Sequence, residues 1–312
     1  MVDLPYHIPV LRDAVVELMA PGPGKTFVDG TLGAGGHAAA VAAHLSPAGR
    51  MIGIDQDPAA LEEAGRNLAS FGDIVTTVHA RFDEIPQALD KLGIDKIDGA
   101  LFDLGVSSHQ LDTPARGFSF KEPDAVLDMR MNTANGGVTA ADLLNTLDER
   151  ALTTLIRDNS DEKWASRIAR FVVERRAAEP YRTVGQLVET VHAAIPVAAR
   201  PPDTHAATRT FQSLRIAVNN ELSILGHALE STIDRLGKDG VIAVLSYHSL
   251  EDRIVKQLFT RLSGRGAGEG PYGVRPPAIV ELVTKKPVTP DAGEISANPR
   301  ARSAKLRVAR RL

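Results

Sequence analysis

The sequence predicts an α/β fold, in which a doubly wound parallel sheet is interrupted by a helical insert. Four short runs rich in β-branched residues alternate with helical stretches, at 26–29, 51–55, 74–78 and 97–103. This alternation is typical of parallel strands joined by crossover helices. From about residue 107 strand character is lost, and it returns only at 241–247. We therefore assign 1–106 and 217–312 to the sheet domain and 107–216 to the insert.

Local signals place several elements. Asp57 can accept the free amides of a helix whose first residue is Pro58, so we expect a helix over 58–70. The insert contains candidate helix caps at Thr139, Ser160, Thr183 and Thr204. The Gly- and Pro-rich stretch 263–298 predicts a long loop with one strand at 278–284. Period-two alternation at 303–309 predicts a strand at the sheet edge.

Composition excludes whole classes of chemistry. The chain has 312 residues, 43% of them hydrophobic and 24% charged, as an ordinary globular protein has. It contains no cysteine, so disulfides, iron-sulfur clusters, cysteine-ligated zinc and a thiolate nucleophile are excluded. No metal site is predicted. Asp3 and Arg12 interrupt the apolar N-terminus and no apolar run approaches a membrane span, so we expect a cytoplasmic chain.

Charge is distributed unevenly. Residues 1–103 contain 7 Lys+Arg and 15 Asp+Glu, whereas residues 104–312 contain 29 Lys+Arg and 24 Asp+Glu. Residues 163–182 contain 6 basic and 2 acidic residues, and 300–311 contain 6 basic residues and no acid. On a helix at about 161–179, Lys163, Arg167 and Arg170 form a basic stripe. This stripe either contacts the phosphates of an anionic partner or is a solvated face.

A glycine loop follows the first strand. The segment FVDGTLGAGGHA at 27–38 combines a strand end, a glycine-rich turn and a helix start, which together favour close approach of a ligand. Gly33, Gly35 and Ala38 satisfy a dinucleotide pattern, and Asp55 lies 20 residues beyond Gly35. An NAD-dependent dehydrogenase is therefore one interpretation.

Two acids favour a different cofactor. Asp29 ends the first strand, where a pyrophosphate would make a carboxylate unfavourable. S-adenosylmethionine carries an ammonium and a sulfonium group and no phosphate, so an acidic cradle suits it better than NAD. Asp55 ends the second strand, where a carboxylate can accept hydrogen bonds from both ribose hydroxyls. The alternative is that Asp55 only helps to start the next helix.

Segments that together resemble the sequence pattern of one protein family are distributed along almost the whole chain. They are HIPVL at 7–11, DGTLGAGGH at 29–37, IDQDP at 54–58, DLGVSS at 103–108, RGFSF at 116–120, LDMRM at 127–131, ATRTFQ at 207–212, RIAVN at 215–219, SYHSLEDR at 246–253 and NPRARS at 298–303. In these segments the chain resembles the RsmH (MraW) family of S-adenosylmethionine-dependent 16S rRNA cytosine-N4-methyltransferases.

The resemblance implies a class I methyltransferase fold, Rossmann-like, with an inserted helical domain that recognises RNA. It implies S-adenosylmethionine as cofactor and 16S rRNA within the small ribosomal subunit as partner, with methylation of a decoding-centre cytidine. The oligomeric state stays open, a homodimer included. The family's cofactor positions fall on Gly35, Gly36, His37, Asp55, Phe82, Asp103 and Gln110.

The residues support these positions unevenly. Phe82 follows the third strand, where its ring either flanks the adenine or belongs to the core. His37 lies on the first turn of a helix, where it is either a site residue or a surface residue. Gln110 rests on the resemblance alone.

Asp103 is the candidate catalytic residue. The lone pair of an exocyclic cytosine amine is delocalised into the ring, and an acceptor for its N–H makes that lone pair available. Asp103 ends the fourth strand, at the edge where doubly wound sheets bind ligands. Many amino-methyltransferases continue with Pro-Pro and an aromatic residue here, whereas this chain continues Leu-Gly-Val. The role of that aromatic residue, and whether Asp103 contacts the substrate or only the cofactor, stay open.

Two further alternatives concern His248 and the class of the whole protein. Flanked by Ser, Tyr and acidic residues, His248 either transfers a proton or has a structural or RNA-positioning role. For the class of the protein, the alternatives to a methyltransferase are an NAD-dependent dehydrogenase and a non-catalytic ribosome assembly factor. Asp29, the glycine loop, Asp55 and Asp103 occurring together argue against an assembly factor.

Overall fold

A computed structural model describes residues 9–134, 136–202, 204–265 and 277–312. The chain forms two compact units, Met1–Gly105 with Ile224–Leu312, and Val106–Ser223. We call them the sheet unit and the insert unit. His7 and residues 266–276 of the stretch predicted as a loop lie outside the described residues.

The strands of the described residues all belong to the sheet unit. They are β1 Thr26–Asp29, β2 Arg50–Asp55, β3 Val75–His79, β4 Ile97–Asp103, β5 Leu236–Ser246, β6 Val280–Leu282 and β7 Lys305–Arg311. The α-helices of the described residues are α1 Arg12–Met19, α2 Gly36–Ala42, α3 Pro58–Asn67, α4 Ile85–Lys91, α5 Ser108–Asp112, α6 Ala140–Thr146, α7 Glu149–Ser160, α8 Ala165–Arg176, α9 Val184–Ala194, α10 Thr208–Asn219, α11 Glu221–Arg235, α12 Ser249–Leu262 and α13 Ala292–Ala297.

The seven strands form one sheet in the order β3-β2-β1-β4-β5-β7-β6. Strands β1 to β5 pair in parallel, and β7 pairs antiparallel with both β5 and β6. Alternate residues of the strands face opposite sides, and each side packs on its own buried cluster. Val28 and Phe102 belong to one cluster, Phe27 and Leu101 to the other. The doubly wound sheet predicted from the sequence is confirmed.

Two strand predictions need correction. The strand at 303–309 was expected at the sheet edge, but β7 lies between β5 and β6, so the short β6 is the edge. Its alternation reflects burial of one face, where Leu306 and Val308 pack in one cluster, whereas Lys305 and Arg307 on the other face pair with Asp252. The strand expected at 241–247 begins earlier, at Leu236, because Leu236 pairs with Ile97 across a register shift in β4.

Helix starts follow the predicted chemistry in part. Asp57 accepts a hydrogen bond from the Ala59 amide at 3.1 Å, with Pro58 in the first turn of α3. Thr139 and Thr183 cap α6 and α9. Ser160 is wrong as a cap, because it is the buried last residue of α7 and donates to the Ile156 carbonyl instead. Thr204 is also wrong, because α10 begins at Thr208 after Ala207.

The insert unit is built from helices around one apolar cluster that includes Leu127, Leu152, Ile168 and Leu187. The sequence boundary at 216 falls inside α10, whereas this unit runs to Ser223. Asn219, at the end of α10, donates to the Met129 carbonyl and accepts from the Met131 amide, both at 2.8 Å. These bonds hold the whole of α10 within the insert unit.

Among the described residues, no helix combines the length and the apolar character needed to cross a bilayer.

Candidate active site

Three carboxylates lie at the ends of adjacent strands in the sheet unit. Asp29 is opposite Gly53 of β2 and Leu101 of β4. Asp55 and Asp103 are two residues further along those strands. Because side chains alternate with period two, the three carboxylates share one face of the sheet at its carboxyl edge. The chain therefore concentrates negative charge at one point.

Asp29 is the most deeply buried of the three, at 1% exposure. Its Oδ1 accepts a hydrogen bond from the Thr31 amide at 3.1 Å. Burial, followed by the charges of Asp103 and Asp55, raises the pKa of Asp29 to about 7 despite that hydrogen bond. A buried acid with a raised pKa gains most from a neighbouring cation, which favours its charged form.

The glycine loop leads from Asp29 into α2. Gly35 precedes this helix with φ +85°, and a Cβ there would lie 2.8 Å from Leu68 Cδ1. A Cβ on Gly36 would lie 2.7 Å from Pro9 Cγ. Only glycine fits this path without displacing a neighbour, so the loop presents backbone rather than side chains.

Asp55 is tied to this loop. Its Oδ2 accepts from the Gly33 amide at 2.8 Å and its Oδ1 from the Asp57 amide at 2.9 Å. Burial raises its pKa to about 6, against the opposing hydrogen bonds. Each carboxylate oxygen has about two lone-pair directions. The carboxylate is thus fixed by backbone donors and retains capacity for hydroxyl groups.

Asp103 lies at the centre of a polar network. Its amide donates to Thr31 Oγ1 at 2.6 Å, and its Oδ1 accepts from the Tyr247 hydroxyl at 2.7 Å. Its Oδ2 lies 3.6 Å from His37 Nε2. The Asp103 side chain is 27% exposed, so it remains accessible to a ligand.

His37 is buried and is not a surface residue, while its role toward a ligand stays a prediction. It lies on the first turn of α2 and is only 5% exposed. Its ring faces Asp103 from the glycine loop, which brings two predicted residues together.

Phe82 and Gln110 are placed differently. The Phe82 ring packs edge-on against Phe102, with centroids 6.1 Å apart, at the border of a core cluster. Gln110 belongs to the insert unit, where its Oε1 accepts from the Ser107 amide at 3.0 Å and closes a capping box at the start of α5. Both have a structural role in the chain itself, and a role toward the cofactor stays a prediction.

His248 has a helix-start role. It caps α12, and its Nε2 lies 3.0 Å from Oε1 of Glu251, which is 2% exposed. This geometry favours the structural interpretation over proton transfer.

Tyr247 and Thr31 are partners of Asp103 that were not predicted from the sequence. Tyr247 directly follows β5, the strand beside β4, so its place in the strand order was the signal that would have found it. Thr31 lies inside the glycine loop, between Asp29 and Gly33.

The backbone and carboxylate groups of this site fit S-adenosylmethionine. A glycine turn at a helix start admits a ligand close to the backbone, and three carboxylates suit a ligand with two cationic groups and a ribose. The sheet has five parallel strands, and the antiparallel β7 lies between β5 and β6. The cradle lies at the carboxyl edge of this sheet. Together these features define a class I S-adenosylmethionine-dependent methyltransferase.

Comparison with known proteins gives the family. The MraW methylase family matches residues 5–312, and the chain belongs to that family. It is 50% identical to ribosomal RNA small subunit methyltransferase H of Heliobacterium modesticaldum, over 98% of this chain and 99% of that protein. It is 49% identical to the protein of the same name from Thermobifida fusca, over 98% of this chain and 94% of that protein.

Among solved structures, the chain is similar to an rRNA methylase from Streptococcus thermophilus, with TM-score 0.40, 11% identity and coverage of 96% of this chain and 93% of that one. It is also similar to an S-adenosylmethionine-dependent O-methyltransferase from Thermotoga maritima, with TM-score 0.42, 10% identity and coverage of 99% and 69%. Membership of the MraW family, established by sequence, overturns the NAD-dependent dehydrogenase interpretation.

Proposed function

We propose that this chain transfers the methyl group of S-adenosylmethionine to the exocyclic N4 of a decoding-centre cytidine in 16S rRNA, on the small ribosomal subunit. The observation that carries the proposal is the site itself, with Asp103 beside an acidic glycine cradle on the sheet edge. Relatives named ribosomal RNA small subunit methyltransferase H, similar over nearly their full length, support the substrate. The cytosine-N4 position follows from the family resemblance.

The cofactor positions are assigned as follows. The backbone of Gly35 and Gly36 admits the cofactor, and Asp55 accepts the two ribose hydroxyls while Gly33 and Asp57 hold its carboxylate. His37 and Asp103, whose Nε2 and Oδ2 atoms lie 3.6 Å apart, would line the same cradle. Phe82 and Gln110 complete the family's set of positions.

Catalysis then requires an acceptor and alignment. S-adenosylmethionine supplies a methyl group on a positively charged sulfur, which is an activated leaving group. Asp103 accepts a hydrogen bond from the target amine, which localises the nitrogen lone pair for attack. Bound S-adenosylmethionine would need its methyl carbon and sulfur aligned with the attacking nitrogen, and the methylated nitrogen would lose its extra proton to water. The absence of cysteine agrees with attack by an exocyclic nitrogen, because methylation at pyrimidine C5 commonly needs a thiolate adduct.

The insert unit presents the basic stripe to solvent. Lys163, Arg167 and Arg170 are exposed, and both arginines lie over the Phe171 ring at 5.4 Å. Arg170 also lies 3.5 Å from Glu174. Such exposed cations bind phosphates with little dependence on sequence, so we assign the stripe to RNA backbone contacts.

Other basic residues of the same regions serve the fold. In the insert unit, Arg175 pairs with Glu189 at 2.9 Å, and Arg176 donates to two backbone carbonyls. Near the C-terminus, Arg307 and Lys305 pair with Asp252 at 2.7 and 3.2 Å. The helix expected at about 161–179 is shorter, because α8 begins at Ala165, so Lys163 precedes it and only Arg167 and Arg170 lie on α8. The stripe of these three cations is the stronger candidate for RNA binding.

The test is direct. Small subunits lacking the modification are incubated with the protein and methyl-labelled S-adenosylmethionine, and the rRNA is digested to nucleosides. We expect label in N4-methylcytidine, and none when the subunits already carry the modification. Label in another nucleoside would overturn the assigned target. Tight binding to subunits without any label would favour the assembly factor.

The proposed substrate places the reaction in the cytoplasm. Light scattering of the purified chain distinguishes a homodimer from a monomer.

A further inference from the structure

Tyr247 occupies a defined place beside the proposed catalytic residue. It follows the last residue of β5, and β5 lies next to β4, where Leu245 is opposite Asp103. Tyr247 is two residues beyond Leu245, so its side chain is on the same sheet face as the three carboxylates. Its hydroxyl donates to Asp103 Oδ1 at 2.7 Å.

The tyrosine is held at both ends. Its backbone amide donates to Glu251 Oε2 at 2.8 Å, and Glu251 is buried in the first turn of α12. Its ring packs against the buried cluster that contains Leu245 and Leu306. Gly105 passes close to the ring, where a Cβ would lie 3.7 Å from Tyr247 Cδ2. A side chain fixed in this way can hold its partner in one orientation.

The hydroxyl remains a donor across the working pH range. Burial, and then the charge of Asp103, raise the pKa of Tyr247 above its ordinary value. The proton therefore stays on the tyrosine oxygen, and the carboxylate keeps the role of acceptor.

We propose that Tyr247 is a positioning residue for methyl transfer, whose hydroxyl fixes the rotation of the Asp103 carboxylate toward the target amine. The inference rests on the proposed role of Asp103. In this chain the aromatic partner of the strand-end acid comes from the adjacent strand and not from the residues after Asp103. Because the ring packs on the core, it acts through its hydroxyl and not as a platform for the base.

Tyr247→Phe keeps the ring and removes only the hydroxyl. Single-turnover methylation of saturating subunits is measured over a range of S-adenosylmethionine concentrations. We expect the saturated rate to fall about 10- to 100-fold, as expected for loss of one hydrogen bond to a charged group. The concentration giving half the maximal rate should change less than about threefold, since binding is not the step affected.

A matched control is available in Tyr181, which is buried in the insert unit with its hydroxyl 2.6 Å from Thr190 Oγ1. Tyr181→Phe removes a comparable hydroxyl that is bonded to Thr190 and not to Asp103, and its saturated rate should stay at the wild-type value. Thermal unfolding of both variants shows whether each is folded at the assay temperature. A normal saturated rate in Tyr247→Phe would overturn the proposal, as would a loss explained wholly by weaker cofactor binding.

A double-mutant cycle with Asp103→Ala tests whether Tyr247 acts through Asp103. In the Asp103→Ala background, Tyr247→Phe should change the rate less than about twofold. Independent, additive losses would contradict the inference. If Asp103→Ala itself keeps a normal rate, the proposed role of Asp103 fails separately. If Asp103→Ala incorporates no label, the cycle cannot be measured. The proposal is then tested by Tyr247→Phe alone, through its saturated rate compared with its half-saturating S-adenosylmethionine concentration.

Discussion

The Gly33 amide donates to Asp55 Oδ2 at 2.8 Å, which joins the glycine loop after β1 to the acid at the end of β2. The same carboxylate accepts from the Asp57 amide at the start of α3. Loop, strand end and helix start thus share one acceptor. A ligand that binds Asp55 is therefore also held in a fixed position relative to the glycine loop.

We expect Asp55→Ala to weaken S-adenosylmethionine binding by about 1–3 kcal/mol, because it removes the acceptor for the ribose and releases the loop. Isothermal calorimetry measures this. Asp98→Ala is the matched control, since Asp98 accepts from the Thr26 amide at 2.8 Å at the opposite end of the strands. Equal cofactor affinity in Asp55→Ala and wild type would refute the assignment.

Gly35→Ala should destabilise the chain more than Gly93→Ala. Both glycines have positive φ, +85° and +68°, so both substitutions strain the backbone. Only at Gly35 would the new Cβ meet a side chain, Leu68, at 2.8 Å, whereas nothing lies within 4 Å at Gly93. Thermal or urea unfolding should show a difference of about 1–3 kcal/mol. Equal losses of unfolding free energy in the two variants would mean that Leu68 moves aside at no energetic cost.

The stability of the ligand-free chain should depend on pH through Asp29. Its pKa is raised to about 7 in the folded chain, against about 3.9 when unfolded. The folded state then binds the proton more tightly, so this stabilisation is complete below about pH 4 and is lost as pH rises to about 7. The expected loss is on the order of 4 kcal/mol.

Asp29→Asn removes that titration and keeps the size of the side chain. Urea unfolding between pH 4 and 8 should show a smaller decline with pH for this variant than for wild type. Parallel curves would show that Asp29 does not titrate in this range.

Neutralising Lys163, Arg167 and Arg170 to Gln should weaken RNA binding and flatten its salt dependence. Three lost phosphate contacts would reduce the slope of log affinity against log salt by about 2, on the scale of single strands. Cofactor affinity should not change. The control replaces Arg66, Lys91 and Lys238, which are exposed cations of the sheet unit, with the same change in net charge. An unaltered slope in the Lys163, Arg167 and Arg170 triple variant would show that these residues form a solvated face and do not contact RNA.

The parts of this architecture that depend on local chemistry could be predicted from sequence. The parallel strands follow from β-branched runs, and the start of α3 follows from Asp57 and Pro58. The acids at the strand ends follow from strand boundaries alone. Parallel pairing then brings them to one edge without further information.

What depends on long-range pairing could not be predicted. Asp103 and Tyr247 are 144 residues apart, and their contact exists only because β4 and β5 are neighbours across the whole insert. The interior place of β7 depends on β6 pairing beyond it. His37 gave no sign of burial, because a helix start looks the same in sequence whether it faces solvent or an acid.

The central claim is that Asp103 takes part in methyl transfer itself, and Asp103→Asn tests it most directly. Asn keeps the size and one acceptor oxygen but loses the charge. Single-turnover rates with saturating small subunits at several S-adenosylmethionine concentrations separate chemistry from binding. We predict that the saturated rate falls by a factor of about 100 to 1000 while the cofactor dissociation constant changes less. A normal saturated rate with a raised dissociation constant would contradict the account and make Asp103 a residue that binds only the cofactor.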